Sequence, residues 1–534
     1  MQIWLYILLV CVLVNLAATA QNTVKVFGVV SDSETAELLQ SATVKSTTGT
    51  QAGAISNVYG YYSLNIPQNE PTEIQVSFVG YKTQKILLMQ NADTMLNIQL
   101  IPGIELDEYT VSANKNTYSS ITQIGQLALT GEVIKWAPSL AGENNIMSVL
   151  KTLPGVSAGK EGSSELFVRG GSHDQNLILL DKSPVYNLNH AFGLLSVFNS
   201  SAIKNVSLFK EGIPSEFGGR LSSVLDVSVK EGNRKNYTGD FTISTVAVSA
   251  TAEGPIVKDK ASFLISARRS WPDILVTGIT AGNQNDMVLG YYFMDINAKT
   301  NFSVRNKHHF YISYYTGQDK LFAKSEATGQ KSKMEQGWGN NIASARYQSV
   351  SENGAFNDAL LYYSSFNEFE TNGIKSTENT TKQQNKSELN EFGFKASREF
   401  SIGNYFKFKF GADGLLRSIQ PPYKVSEENG YSSEIKNAEP VNQKELAVFA
   451  SAEYSTKRFD IVFGLRTNMF GEQLSGYFSL EPRFSVYYHL SNTFSVKAGA
   501  MRNTQKAYRE CQVIHGCQQP VILNLSHHGK LLWV

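Results

Sequence analysis

The amino-acid sequence predicts a mainly β protein in three parts: an N-terminal Ig-like or transthyretin-like β-sandwich, a small α/β domain, and antiparallel strands of a transmembrane β-barrel. Three observations predict this class. Over most of the chain, apolar residues recur at alternate positions, with turn residues between the runs. Only 18% of residues are charged and 11% are aromatic, whereas about a quarter are charged in ordinary soluble domains. With 534 residues, the chain is too long for a single core.

An apolar stretch occupies residues 1–20, with the sequence MQIWLYILLVCVLVNLAATA. Its small residues Ala18 and Ala20 suit cleavage by a signal peptidase. We therefore predict a signal peptide and an exported protein whose mature chain begins at Gln21; the alternative is a short membrane anchor. No later stretch is apolar enough to cross a bilayer as a helix, so any later segment that spans a membrane must be a strand.

The pattern of residues 21–102 predicts short strands separated by turns, which is typical of a small β-sandwich. Three motifs in this segment resemble the carboxypeptidase-regulatory-like domain of exported Bacteroidetes proteins: Gly28-Val29-Val30-Ser31-Asp32, Asn57-Val58-Tyr59-Gly60-Tyr61-Tyr62 and Ser77-Phe78-Val79-Gly80-Tyr81. A generic Ig-like sandwich is the alternative, and it has the same fold. The segment contains no cluster of His and Cys and no paired acids, so we assign it no enzymatic role.

Residues 119–234 combine helical and strand patterns. The segment 143–156 spaces its apolar residues helically before the break at Pro154-Gly155, and short strands follow. Four motifs resemble, in the expected order, the plug domain of TonB-dependent outer-membrane receptors: Leu153-Pro154-Gly155-Val156, Phe167-Val168-Arg169-Gly170-Gly171, Ile178-Leu179-Leu180-Asp181 and Glu216-Phe217-Gly218-Gly219-Arg220. The resemblance implies a domain that fills the lumen of a barrel.

Ser172, His173 and Asp174 follow the second of these motifs. A catalytic triad is assembled from residues that converge from separate parts of a fold. Three consecutive residues on one backbone cannot be arranged in that way, so we expect an ordinary polar loop without catalytic chemistry.

Arg169 and Arg220 lie in plug-like motifs. In the family, plug arginines often pair with carboxylates of the barrel, so the resemblance implies that both arginines are latches between plug and barrel. The alternative for each is a solvated loop charge.

The linker, residues 103–118, resembles the segment of these receptors that is known as the TonB box. The candidate string is Leu106, Asp107, Glu108, Tyr109, Thr110, Val111 and Ser112. Leu106, Asp107, Glu108, Val111 and the following Ala113 match the box, and Ser112 occupies a position where Thr is often found. The resemblance implies that this strand adds to a sheet edge of the C-terminal domain of TonB in the periplasm. Backbone hydrogen bonds carry such binding, so its side-chain signature is weak.

From residue 235 to residue 504, segments of roughly ten residues alternate between apolar and polar positions, as membrane-spanning strands do. The stretches NYFKFKFGA, HHFYISYYT and RFDIVFGLR place aromatic or aliphatic residues on one face and most of their polar residues on the other. Tight connections such as VKDK and SNT alternate with long polar stretches at 320–336, 371–387 and 419–443. Short turns on one side and long loops on the other predict an outer-membrane barrel.

About twelve strands fit between residues 237 and 503. Twelve strands enclose a diameter of about 24 Å, whereas a plug of about 110 residues is roughly 34 Å across. We therefore expect about half of a barrel of about 22 strands, which would not seal by itself. Residues 505–534 form an atypical tail that we expect to mark a truncation or frameshift; a metal site from Cys511, Cys517, His527 and His528 would lack a familiar zinc spacing.

These expectations together imply a TonB-dependent outer-membrane receptor that takes up a scarce solute and has its N-terminal domain in the periplasm. The expected partners are the TonB C-terminal domain, outer-membrane lipid and a small extracellular ligand. The net charge of +1 shows no excess of basic residues of the kind that binds nucleic acid. We also expect no cofactor, no metal and no enzymatic activity. The alternative is a non-transporting surface adhesin or structural outer-membrane β-protein.

The expected substrate class follows from one difference between this sequence and a branch of the family. The glycan-importing SusC-like branch typically closes its plug with a signature that ends in Asn-Gly. Here the equivalent stretch is Phe217-Gly218-Gly219-Arg220-Leu221-Ser222-Ser223, which lacks that pair. We therefore expect a siderophore, a cobalamin-like cofactor or a peptide rather than a glycan.

Overall fold

The computed structural model describes residues 23–47, 52–103, 126–135, 139–140, 142–159, 165–280, 287–305, 307–327, 330–376, 379–436, 439–456, 458–471, 476–491 and 494–505. The predicted signal peptide, the TonB-box segment and the tail beyond residue 505 lie outside this part of the chain. Strands account for 68% and helices for 6% of the structure, which confirms the mainly β class.

Residues 23–103 form the predicted sandwich. Its strands are β1 Thr23–Asp32, β2 Thr43–Ser46, β3 Gly53–Ile55, β4 Tyr61–Pro67, β5 Thr72–Ser77, β6 Gln84–Leu88, β7 Thr94–Met95 and β8 Ile98–Leu100. One sheet has the order β4-β1-β7, with β8 also paired to β1, and the other has the order β3-β2-β5-β6. Tyr62, Leu64 and Ile66 are alternate residues of β4 that point into the core between the sheets. The other face of β4 is therefore turned away from this core.

Residues 126–229 form the plug. Its elements are β9 Gln126–Thr130, α1 Gly131–Lys135, β10 Ser139–Leu140, β11 Glu143–Asn144, α2 Ile146–Lys151, β12 Val156–Ala158, β13 Leu166–Val168, β14 Asn176–Leu180, β15 Ser183–Pro184, β16 Asn189–His190, β17 Leu195–Ser196, β18 Ile203–Phe209 and β19 Ser223–Val229. Short 3₁₀ turns occur at His173–Gln175, Ala191–Gly193 and Ser200–Ala202. The main sheet has the order β15-β14-β19-β18-β9, so β19 is its central strand.

Local sequence explains α2. The side chain of Asn145 accepts a hydrogen bond of 3.0 Å from the backbone N–H of Met147, which caps the first turn. Ile146, Met147 and Leu150 are buried on one side of the helix, as the helical spacing predicted. The helix ends before Pro154-Gly155, where Gly155 has a φ of +76°.

The remaining strands form one large antiparallel sheet, here called the wall. They are β20 Thr238–Ile243, β21 Ala247–Val257, β22 Ala261–Ser270, β23 Met287–Val304, β24 His308–Ala327, β25 Gln330–Val350, β26 Phe356–Lys375, β27 Thr380–Ile402, β28 Phe406–Glu428, β29 Tyr431–Lys436, β30 Val441–Ser455, β31 Phe459–Gly471, β32 Tyr477–His489 and β33 Ser495–Met501. Within the described residues, thirteen strands follow one another and β29 folds back on β28, so this part of the wall has fourteen strands rather than about twelve.

A short helix, α3 Pro272–Thr280, connects β22 to β23. Among the described residues, no helix combines the length and the apolar character that crossing a membrane would require.

The predicted alternation is present in the wall. In β24, Ile312 and Tyr314 are 55% and 46% exposed, whereas His309 and Tyr311 are buried toward the plug. In β28, Phe410 is exposed and its neighbour Lys409 contacts a plug carboxylate. One face of the wall is therefore apolar and outward, and the other is polar and faces the plug.

The three long polar stretches at 320–336, 371–387 and 419–443 were wrongly predicted to be loops. The turn at 429–430 is tight, and most residues of the three stretches belong to strands β24 to β30. These strands have 20 to 23 residues from β24 to β28. At about 3.3 Å per residue they are far longer than a bilayer core of about 30 Å. Their outer parts therefore continue into water, where polar residues on both faces are compatible with strand pairing.

Within the described residues, β20 pairs only with β21 and β33 pairs only with β32. The wall thus has two edges in this part of the chain.

Candidate functional site

The plug packs against the inner face of the wall through a small apolar contact. Leu264 of β22, Tyr315 of β24 and Ile342 of β25 belong to the same buried cluster as the plug core. The other side chains that join plug to wall are mainly polar or charged, and many of them are buried. Since a buried charge is costly unless it is paired, the pairing of these groups decides how firmly the plug is held.

His190 makes the most completely buried of these contacts. It ends β16, and its imidazole lies between two wall carboxylates: Nδ1 is 2.6 Å from Asp319 Oδ2 and Nε2 is 2.8 Å from Asp295 Oδ1. The ring also stacks on Phe293 with 4.6 Å between centroids. Burial alone would lower the pKa of His190, but Asp295 and Asp319 outweigh it and raise the pKa to about 9. His190 is therefore a cation that bridges two strands of the wall.

Arg268 of β22 completes this group, which we call the His190 cluster (His190, Arg268, Asp295 and Asp319). Its guanidinium donates to Asp295 Oδ2 at 2.6 and 2.9 Å and to the carbonyl of Ser196 in the plug at 2.7 Å. Glu143 of the plug lies 3.5 Å from the same guanidinium. Two plug strands are thus attached to β22 through one buried arginine.

The residues after His190 form an exposed aromatic tip. Ala191 and Phe192 have φ values of +51° and +56°, a left-handed conformation that a bulky residue rarely adopts. Phe192 is nevertheless 59% exposed. Its ring lies 5.6 Å from that of Tyr291 and 5.4 Å from that of Trp338, both on the wall. A strained backbone that exposes an aromatic ring indicates a functional reason for this geometry.

Glu391 of β27 is the centre of a second buried group. It accepts hydrogen bonds from Tyr186 of the plug at 2.6 Å and from Tyr362 of β26 at 2.7 Å. Arg417 of β28 pairs with the same carboxylate at 2.5 Å. One plug tyrosine is in this way tied to three neighbouring strands.

The stretch before Arg220 is held by cations of the wall. Lys409 pairs with Glu216 at 2.5 Å, and Lys182 of the plug lies 3.7 Å from the same carboxylate. Burial would raise the pKa of Glu216, but these lysines outweigh it and hold the pKa well below its usual range. Arg466 donates to the carbonyls of Ser215 and Glu216 at 3.4 and 3.3 Å while it pairs with a wall aspartate.

The two predicted latch arginines lie in different surroundings. Arg169 has a φ of +50° and pairs with Glu211, which belongs to the plug itself. This contact stiffens the plug and does not join it to the wall. Arg220 lies beside a narrow cleft of about 70 Å³ between plug and wall, which Glu445 of β30 also lines. Of the two, Arg220 has the position that a latch requires.

Sequence reasoning missed His190, Asp295, Asp319 and Glu391. A signal for Asp295 and Glu391 was present, because each lies at an inward position of a strand between apolar or neutral neighbours, as Met294 and Ile296 are beside Asp295. Asp319 lies beside Lys320 and lacks that signal. Nothing in the residues around His190 distinguishes it from an ordinary loop histidine.

On the side of the short turns, a chamber of about 580 Å³ separates the sandwich from the plug and the wall. Its lining includes Tyr61 and Ser63 of the sandwich, Glu216 of the plug and Lys409 of the wall.

No group of three or more His, Cys, Asp or Glu side chains within the described ranges has the arrangement of a metal site. The cysteines and histidines of the tail, and the string from Leu106 to Ser112, lie outside those ranges.

Two family models match the chain. Residues 26–111 match the CarboxypepD_reg-like domain, and residues 138–223 match the TonB-dependent Receptor Plug Domain. No curated protein matches the sequence.

Solved structures share the fold at low sequence identity. The siderophore receptor PirA from Acinetobacter baumannii is 12% identical, with a TM-score of 0.52 over 72% of this chain and 62% of that one. The outer membrane transporter YddB from Escherichia coli is also 12% identical, with a TM-score of 0.50 over 72% of this chain and 61% of that one. The present chain thus spans about three fifths of the length of these receptors.

Proposed function

Because the chain carries a CarboxypepD_reg-like domain and a TonB-dependent receptor plug domain within the fold of outer-membrane receptors, we propose that it serves TonB-dependent uptake of a scarce small solute. The observation that carries this proposal is the plug's attachment to the wall through buried ion pairs, above all the His190 cluster. Breaking a buried pair by removing one partner costs about 3–5 kcal/mol. A plug held in this way would not leave the lumen spontaneously, so passage would need an external source of energy.

The energy would come through the string from Leu106 to Ser112. This segment would add as a strand to the sheet edge of the TonB C-terminal domain, and backbone hydrogen bonds would supply most of the affinity. It lies between the sandwich and the first plug strand, so tension on it would reach both domains.

A synthetic peptide of residues 104–116 tests this partner. It should bind the purified TonB C-terminal domain in a calorimetric titration. Val111→Pro should abolish binding because proline cannot donate to a strand ladder, whereas the control Val111→Ala should retain most of it. A wild-type peptide without measurable binding would contradict the proposal and favour the adhesin alternative.

The solute would contact the aromatic tip from the extracellular side. Phe192, Tyr291 and Trp338 present ring faces and edges that suit a ring-bearing solute. Siderophores are the first class to test, since PirA, which shares the fold, is named a siderophore receptor; cobalamin-like cofactors and peptides come next.

Cells whose only such receptor is a closed barrel built on this chain should take up radioactive iron from catecholate or hydroxamate siderophores. The uptake should cease when a proton uncoupler is added and should fall with Phe192→Gly. Uptake that continues with the uncoupler present would contradict energy coupling.

A further inference from the structure

The sandwich is docked on the short-turn side of the wall by an asparagine pair. The backbone N–H of Asn65 donates to Asn404 Oδ1 at 2.9 Å, and Asn404 Nδ2 donates back to the Asn65 carbonyl at 3.1 Å. The side chain of Asn65 also donates to the carbonyl of Gly403 at 2.6 Å. Asn404 lies in the turn between β27 and β28, so this contact fixes β4 of the sandwich to the rim of the wall.

Aromatic residues make a second contact with the next turn along the rim. The rings of Tyr59 and Tyr61 stack on Phe356, the first residue of β26, with centroids 5.6 and 5.2 Å apart. The Tyr61 hydroxyl donates to the carbonyl of Gly354, and Lys25 Nζ donates to the carbonyl of Asn353 at 3.1 Å. Tyr61 and Asn65 lie on the face of β4 that is turned away from the sandwich core, and Ser63 lies between them on the same face.

A third contact reaches the plug and its connection to the wall. Glu37 of the sandwich lies 3.6 Å from Lys204 of β18. The carbonyl of Thr35 accepts from the backbone N–H of Arg234 at 2.9 Å, and the carbonyl of Ser33 accepts from Lys235 at 2.5 Å. Arg234 and Lys235 belong to the stretch that joins β19 of the plug to β20 of the wall. The sandwich therefore bridges the junction around which the plug would have to move.

These contacts are of a kind that can be released. Most are hydrogen bonds to turn carbonyls, and the apolar part is a small cluster around Phe27, Tyr61 and Phe356. The chamber of about 580 Å³ lies directly behind them, so sandwich, plug and wall are not packed into one core. Interfaces of this polar type between domains normally permit relative motion.

We propose that the sandwich is a releasable second gate at the periplasmic mouth, which covers the chamber behind the plug in the resting state and undocks when the linker is pulled. The inference rests on the proposed TonB-dependent function, because the same 22-residue stretch between residues 103 and 126 connects the gate to the plug. Solute released past the plug would enter the chamber, and it would leave only after the Asn65–Asn404 contact opens.

The test measures how accessible the docking face of β4 is. In the full chain, Cys11, Cys511 and Cys517 are replaced by serine and Ser63→Cys supplies a single thiol. The rate of its modification by a polyethylene-glycol maleimide too large for the chamber is followed in open fragments of outer membrane, in which the reagent reaches the periplasmic face. Asn404→Ala should raise this rate by about tenfold, the factor that corresponds to the loss of roughly one net hydrogen bond. Asn372→Ala, near the far end of β26, is the matched control and should leave the rate unchanged.

A second measurement asks whether energy opens the gate. In cells with an active TonB system and an outer membrane permeabilised to the reagent, the Ser63→Cys thiol should react faster than in the same cells treated with a proton uncoupler. A fast rate that is the same with and without Asn404→Ala would show that the sandwich is not docked and would overturn the inference. Another outcome is a thiol that reacts slowly in both energised and uncoupled cells while the 104–116 peptide binds TonB. That result would show that the sandwich is a fixed cap, and it would overturn the gate while leaving the proposed function intact. Failure of that peptide to bind would instead overturn the proposed function.

Discussion

His190 is a buried cation whose charge depends on pH. Its pKa is raised from 6.5 to about 9, so its contribution to plug attachment is fully present below pH 6.5 and is lost as pH rises through about 9. The groups that face it are Asp295 and Asp319, with Arg268, Tyr291 and Tyr315 bonded to those carboxylates.

We predict that attachment of the plug weakens by roughly 3 kcal/mol between pH 6.5 and pH 10, because a shift of this size is worth about 1.4 kcal/mol per pH unit. The protection factors of the amides around residues 189–196, which compare the exchange rate with the intrinsic rate at the same pH, should fall over that range. His190→Ala should remove this dependence and give low protection at every pH, whereas His173→Ala on another plug turn should not. An unaltered pH profile in His190→Ala would contradict the role assigned to this imidazole.

Phe192 offers a separate residue-scale prediction. A non-glycine residue at a φ of +56° costs about 1–2 kcal/mol. Phe192→Gly should therefore raise the free energy of unfolding by about 1 kcal/mol, whereas Phe192→Ala should give no gain because alanine keeps the strain. Denaturant titration of both variants in detergent decides this, and a destabilised Phe192→Gly would show that the ring's contacts outweigh the strain.

At the scale of elements, the wall strands are longer than the membrane is thick. Ile312 and Ile374 are both about half exposed, at 55% and 49%. Ile312 lies five residues into β24 from the short-turn end, whereas Ile374 is the penultimate residue of β26 at the opposite end.

We predict that Ile312→Lys destabilises the wall by about 2–4 kcal/mol, the cost of a lysine deep in the hydrocarbon region, and that Ile374→Lys costs close to nothing. Urea titrations of the chain folded into lipid vesicles measure both values. Equal costs would contradict the position of the membrane along these strands.

Many of the strands and helices could be predicted from the sequence, because their signals lie within short stretches of the chain. Alternation identified the faces of β24 and β28, and helical spacing followed by Pro154-Gly155 located α2. The hairpins above the membrane were missed because polar residues on both faces give a strand no periodicity to detect. The His190 cluster was missed for another reason, since it joins residues more than 100 positions apart in the chain, and only folding reveals that they meet.

At the scale of the whole molecule, β20 and β33 each have one partner within the described residues. Sealed barrels resist detergent because every strand is paired on both sides. We predict that this chain alone, purified and folded in detergent, migrates at the same position on a gel before and after heating. Heat-modifiable migration would contradict this prediction and would indicate that the wall closes.

The edge position of β9 has a mechanical consequence. Within the described plug, β9 pairs with β18 alone, and it begins at Gln126, the first described residue after the linker. A load arriving through the linker would meet an edge strand of the main sheet, and removal of that strand leaves the pairing of β18, β19 and β14 intact. A load on the linker would therefore separate the five residues of β9 from β18. The rest of the plug would keep its fold, and β9 could pair with β18 again when the load ends.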